Sequence, residues 1–188
     1  MMRSMRVAIC GRMASGKSRL ADELVGNHGF ERVSLARAVK LMGQRVIETM
    51  VEDGLLPADV LGTKQRRLLQ TIGAVGREID PRLWIRDTLT QTEAHERVVI
   101  DDVRFPNEAE ALVEAGFILI RLGFDDEQMQ IERLRRAYPD TWERHWAARD
   151  DVSESGIDGI PAELVDLELT VRDGDDNLRD LLDHLWLS

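Results

Sequence analysis

Short apolar runs alternate along this chain with stretches whose apolar residues recur every three or four positions. Val7-Ala8-Ile9-Cys10 reads as a buried strand. From Lys17 to Val25, the residues Leu20, Ala21, Leu24 and Val25 share one helical face, and Gly26-Asn27 supplies a stop signal. Glu31 to Ser34 reads as a second short strand. Leu35, Val39, Met42, Val46 and Met50 mark a long helix, followed by a loop from Gly54 to Gly62. Thr63 is a candidate cap for a helix carrying Leu68, Leu69 and Ile72, and Asp80-Pro81 is a helix-start signature ahead of Trp84, Ile85, Thr88 and Leu89.

Val98-Val99-Ile100 is a third strand, ending in Asp101-Asp102. A helix from Pro106 to Ala115 closes at Gly116, and Phe117 to Leu122 is a fourth strand. Asp126 to Ala137 is an arginine-dense helix broken by Tyr138-Pro139. An irregular polar region then runs to Ile160. Leu167 to Val171 is a fifth strand, and Asp175 caps a last helix with a stripe of Leu178, Leu181, Leu182 and Leu185. Strands alternating with helices over short connections imply right-handed crossovers and a parallel sheet covered on both faces. In such sheets ligands bind at the carboxyl ends of the strands. The chemistry is therefore expected just after Cys10, Ser34, Ile100, Leu122 and Val171.

Composition narrows the class. The chain has 188 residues, 43% hydrophobic and 32% charged, which is the profile of one globular domain rather than a disordered chain. No apolar run approaches the ~20 residues of a membrane span. The run after the N-terminus is too short for a signal-peptide core, and a single cysteine cannot form an internal disulfide, so a cytoplasmic protein is expected. A net charge of −10 argues against binding nucleic acid polymers or anionic membranes. It leaves room for small phosphorylated ligands held by a few converging Arg and Lys.

Gly11-Arg12-Met13-Ala14-Ser15-Gly16-Lys17-Ser18 matches G-x-x-x-x-G-K-[ST] in full. The glycines let the backbone turn tightly and point its N–H groups at phosphate oxygens, and the following helix adds its positive end. Lys17 supplies a mobile charge for the β- and γ-phosphates, and Ser18 offers a hydroxyl to Mg²⁺. The motif follows an apolar strand and opens an amphipathic helix, the context that supports it. Gly11, Met13, Ala14, Ser15, Gly16, Lys17, Ser18 and Arg19 are the candidate ATP-binding residues. Asp101, at the tip of strand three, and Ser18 of the loop are the metal candidates. Asp102 is favoured for catalysis, because Asp102-Val103-Arg104 puts an acid and a guanidinium on one side of an extended segment.

The segment Asp102-Val103-Arg104-Phe105-Pro106-Asn107-Glu108-Ala109-Glu110, taken with this loop, resembles the phage-type deoxynucleoside monophosphate kinases, within the P-loop nucleoside and nucleotide kinases. Arg66-Arg67-Leu68-Leu69-Gln70-Thr71-Ile72-Gly73, leading to Arg77 and Trp84, resembles the stretch these enzymes use around the monophosphate acceptor. Asp151-Val152-Ser153-Glu154 resembles their Ser/Thr-Glu element after the lid. The chain departs from the family in carrying Ser18-Arg19 where members often have Asp then Thr.

The resemblance implies a P-loop NTPase fold: an α/β/α sandwich of three layers on a five-stranded parallel sheet, one domain over 1–188, with an acceptor-binding insertion at about 36–95 and a lid at about 125–155. It implies transfer of the γ-phosphoryl of ATP, with Mg²⁺, to a deoxynucleoside monophosphate. Lys40, Arg66, Arg67, Gly73, Arg77, Trp84, Asp102, Arg104, Glu108 and Glu154 are then substrate-binding candidates. Lys17, Asp102, Arg133 and Arg136 are the catalytic candidates, the two arginines lying one turn apart on the lid helix.

For Trp84 the rival reading is core packing, for Lys40 a snorkelling surface lysine, and for Glu108 a favourable acid in a first helical turn. Two alternatives stay open: a P-loop kinase of another small acceptor such as dephospho-coenzyme A, and a non-catalytic nucleotide-binding or ATPase module. Monomer and homodimer are both compatible with the resemblance.

Overall fold

The computed structural model describes residues 4–63, 65–150 and 152–170. Its sheet has five parallel strands in the order β2-β3-β1-β4-β5: β1 (Met5–Gly11), β2 (Glu31–Arg32), β3 (Arg97–Val103), β4 (Ile118–Gly123) and β5 (Leu167–Thr170). Eight α-helices are described: α1 (Lys17–His28), α2 (Arg37–Glu52), α3 (Arg66–Ile79), α4 (Leu83–Thr92), α5 (Pro106–Glu114), α6 (Glu127–Ala137), α7 (Trp142–Ala147) and α8 (Val152–Asp158). The architecture is the three-layer α/β/α sandwich expected of a P-loop kinase. Among the described residues, no helix is long and apolar enough to cross a membrane.

The chain divides into two compact units, one of residues 33–94 and one holding the rest. The sheet lies wholly in the second. Its middle strand is buried on both faces, with Val7, Ala8, Ile9 and Cys10 all 0% exposed, which is why those four residues read as a continuous apolar run. Val7 and Ile9 pack with Leu20, Ala21 and Leu24 of α1, Val99 of β3, and Ile120 and Leu122 of β4. The 33–94 unit is helical, and α2, α3 and α4 pack on one another.

Several boundaries differ from the sequence reading. α1 runs through Gly26 and ends at Gly29, whose φ of 69° is the left-handed stop. α3 starts after Gln65, not at Thr63. Asp80 accepts a hydrogen bond from the Arg82 amide at 2.8 Å, forming a turn that delays α4 to Leu83. Asp101 and Asp102 lie inside β3, which continues to Val103. The stretch read as irregular after Tyr138 contains α7 and α8. The helix expected from Asp175 lies outside the described residues.

Candidate active site

The glycine-rich loop leaves the carboxyl end of β1 in a tight curl. Gly11 has φ 149° and Gly16 φ 92°, and Ala14 takes φ 65°, a conformation that costs a residue with a Cβ about 1–2 kcal/mol. At Gly11 space alone excludes a side chain: a Cβ there would sit 2.6 Å from the Leu122 carbonyl oxygen and 2.8 Å from Ser15 Oγ. Ser15 Oγ is itself buried and lacks a hydrogen-bond partner among the described residues. A sealed hydroxyl inside a curl of amides suits a loop that receives an anion's oxygen. α1 begins at Lys17 with no acidic residue in its first turn, so its positive end is not offset by a local acid.

Lys17 Nζ donates to the carbonyl oxygens of Gly11 at 2.6 Å and Arg12 at 2.9 Å, so the ammonium is folded back over its own loop. Burial lowers its pKa to about 8; Glu154 and Asp101 pull it upward, and Arg104 pushes it down. Four charged groups from different elements thus share one small volume.

Two elements far along the chain clasp the loop. From α6, Gln130 Nε2 donates to the Met13 carbonyl at 3.2 Å and Arg133 Nε to the Ala14 carbonyl at 3.0 Å. From α8, Glu154 accepts from the Met13 amide at 2.9 Å and from Arg104 Nη1 at 3.1 Å, and its side chain is 4% exposed. Asp158 of α8 holds the Arg12 guanidinium through both of its oxygens. One carboxylate, Glu154, therefore joins the phosphate loop to the Asp102–Glu110 segment.

Asp101 is buried and accepts from Ser18 Oγ at 3.1 Å, so the two metal candidates meet. The donor set is one hydroxyl and one carboxylate, hard oxygens of the kind Mg²⁺ takes while keeping waters and phosphate oxygens as its other ligands. The residues fit the ion. Among the described residues no cluster of three or more His, Cys, Asp and Glu forms a closed metal cage. Asp101 is also gripped by Arg32, whose Nε donates to Oδ1 at 2.9 Å and whose Nη2 pairs with Oδ2.

The remaining sequence-derived candidates fall in several places. Asp102 is half-buried on β3, Arg19 lies exposed on α1, and Arg136 is exposed on α6 one turn beyond Arg133. Glu108 Oε2 accepts from the amides of Arg104 at 2.9 Å and Phe105 at 3.1 Å, which is the first-turn role held as the alternative. In the helical unit, Trp84 is 5% exposed and its indole donates to the Gly73 carbonyl at 3.1 Å, the core-packing alternative. Arg77 lies over Gly73, with Nη1 3.4 Å from where a Cβ would be. Arg66 is half-buried and Arg67 exposed at the start of α3; Lys40 is exposed, its Nζ donating to Ser34 Oγ at 3.4 Å.

The sequence reading missed Gln130, Arg12, Asp158 and Arg32. Gln130 stands three positions before Arg133, so helical spacing alone puts it on the same face. Arg32 closes β2, and the rule that ligands gather at the carboxyl ends of strands marks it. Asp158 gives no such signal, because its helix carries no clear apolar period.

No protein-family model matches the chain. A protein of Acanthamoeba polyphaga mimivirus that carries the provisional name deoxynucleotide monophosphate kinase is 31% identical over 140 residues, covering 62% of this chain and 72% of that protein. The uncharacterised ORF77 protein of ictalurid herpesvirus 1 is 37% identical over 127 residues, covering 61% of this chain and 50% of its own length. This chain's match thus spans about half of the herpesviral relative. Among solved structures, TT1252 from Thermus thermophilus aligns over 99% of this chain and 98% of its own, with a TM-score of 0.59 and 16% identity. A gluconokinase from Sinorhizobium meliloti aligns over 99% and 98%, with a TM-score of 0.52 and 12% identity. At these identities the two structures speak to the fold.

Proposed function

The chain belongs to the P-loop kinase family that includes the mimiviral protein, and from that premise we propose that it transfers the γ-phosphoryl group of ATP to a deoxynucleoside monophosphate, giving the diphosphate and ADP. The observation that carries the reading is the Glu154 carboxylate. It holds the Met13 amide of the phosphate loop and the Arg104 guanidinium of the kinase-like Asp102–Glu110 segment together. A loop that grips a donor tail and a segment expected to face the acceptor are tied by one buried group.

Phosphoryl transfer asks for in-line positioning and charge neutralisation rather than a protein nucleophile. In this reading the amides of residues 11–18 and the Lys17 ammonium hold the triphosphate. Arg133 of the lid candidate is already at the Ala14 carbonyl of the loop's backbone. Arg104 presents a guanidinium to the transferring group or to the acceptor phosphate. Lys40, Arg66, Arg67 and Arg77 are the helical unit's candidates for acceptor phosphate, and Asp102 the candidate for a sugar hydroxyl. Ser18 and Asp101 would hold Mg²⁺, which when bound supplies charge neutralisation at the phosphates.

The test is an acceptor panel. The protein is incubated with ATP, Mg²⁺ and, separately, each deoxynucleoside monophosphate, each ribonucleoside monophosphate and dephospho-coenzyme A, and ADP and the phosphorylated acceptor are measured. ADP is expected in stoichiometric step with a deoxynucleoside diphosphate. ADP that forms only without acceptor, or never forms, overturns the proposal.

A further inference from the structure

Arg32 ends β2, where the register sets it beside Val99 of β3. Its guanidinium reaches the carboxyl end of β3 and meets two carboxylates. Nε donates to Asp101 Oδ1 at 2.9 Å and Nη2 pairs with Asp101 Oδ2, while Nη1 donates to Asp22 Oδ1 of α1 at 2.7 Å. The Ser18 hydroxyl donates to Asp101 Oδ2 at 3.1 Å. Side-chain exposure grades outward along this chain of groups: Asp101 is 8% exposed, Arg32 36% and Asp22 68%.

A carboxylate as buried as Asp101 is costly without a counter-charge. Arg32 supplies one that cannot be lost by deprotonation. A divalent cation held by Ser18 and Asp101 would supply the same counter-charge twice over, within contact of the guanidinium. The two positive groups then repel, and the one with another anchor and a route to solvent yields. Arg32 has both, because its Nη1 is already on Asp22 and a third of its side chain is exposed.

We propose that Arg32 is a positioning residue and built-in counter-ion of the metal site: it balances Asp101, keeps the carboxylate aimed at Ser18, and surrenders it to a divalent cation while staying anchored on Asp22. Free metal then binds against a competitor, whereas metal carried by a triphosphate brings its own negative charge and shifts the balance. The inference rests on the kinase reading's assignment of Ser18 and Asp101 to the metal.

Mn²⁺ serves as the probe, without nucleotide or acceptor, with free ion followed by electron paramagnetic resonance and bound ion by the rise in melting temperature. Arg32→Gln removes the competitor and is expected to tighten Mn²⁺ binding about five- to tenfold, the lower range of coupling between two ligands of one group. Arg32→Lys keeps the charge but cannot span both Asp101 oxygens, so a smaller tightening is expected. Arg86→Gln, which removes a charge from the exposed pair with Asp80, is expected to change nothing.

General damage to the fold would weaken metal binding, so a gain is a signature that a merely structural role does not produce. If Arg32→Gln does not fold, Arg32→Lys decides by itself. Mn²⁺ binding no tighter than wild type in the folded variants overturns the proposal. The kinase reading fails separately, on the acceptor panel with the wild-type chain, which uses no Arg32 variant.

Discussion

Lys17 concentrates the electrostatics of the site in one ammonium. Its pKa of about 8, depressed first by burial, has a definite sign for both binding and stability. Unfolded, a lysine holds its proton to pH about 10.5, so folding releases a proton between about 8 and that value. The stability contribution is complete above that range and is lost as the pH falls toward 8. A triphosphate on the loop favours the charged form, so ATP binding at pH 8.5 is expected to take up protons, and at pH 7 the lysine's share of that uptake is expected to vanish. Calorimetry in buffers of different ionisation enthalpy measures this.

Lys17→Ala is expected to lower kcat about a hundredfold or more, the scale of losing one preorganised electrostatic donor. The same change should leave the circular dichroism spectrum intact and not lower the melting temperature, because it removes a charge that is costly to bury. Retained activity would detach the loop from the donor.

At the scale of elements, α5 and the α3–α4 pair carry distinct expectations. Glu108 caps the amides of Arg104 and Phe105, so Glu108→Ala is expected to cost about 1–2 kcal/mol in urea unfolding. If Glu108 also touches the acceptor, as the family resemblance implies, the acceptor KM rises beyond that loss, and Glu108→Gln separates the two. Gly76 packs under Trp84, whose Cζ2 lies 2.1 Å from where a Cβ would be, so Gly76→Ala is expected to destabilise by about 1–3 kcal/mol through overpacking. Val75→Ala, at an exposed position of the same helix, is the control and should be near neutral in the same melt.

The elements were legible where local chemistry and tertiary demand agree. Val7–Cys10, Lys17 onward and Pro106–Gly116 announce themselves because an apolar run, a glycine-rich turn and a proline-led helix each have one low-energy solution. α7 and α8 were not legible: both are short, and Glu154 and Asp158 of α8 take partners on the phosphate loop instead of belonging to an apolar stripe. Ser18 and Asp101 were each named from loop and strand-end positions, and the structure brings them into hydrogen-bond contact. The Arg12–Asp158 pair was not, since 146 residues separate its members. Trp84 was ambiguous because an indole with helical apolar neighbours suits a base or a core equally well. The close approach of Gly76, invisible in a one-dimensional pattern, makes it core.

For the molecule as a whole, a net charge of −10 contrasts with the cations Lys17, Arg104 and Arg133 gathered at the candidate site, so any binding of phosphates under the proposed function is local rather than a property of the surface. Mobility-shift assays with double-stranded DNA at physiological salt are therefore expected to show no complex. Cys10 is 0% exposed at the centre of the sheet, and burial pushes its thiol pKa up, so it is doubly protected from alkylation. Maleimide is expected to leave the native chain unmodified for as long as β1 stays paired, and to react once guanidinium unfolds the sheet.

As the sole sulfhydryl of the sequence, that sealed side chain makes the wild-type protein chemically silent toward thiol dyes. A cysteine introduced on the exposed face of α6 would take up a fluorophore alone, with no background to engineer away. Movement of that helix could then be followed in real time in an otherwise unaltered protein.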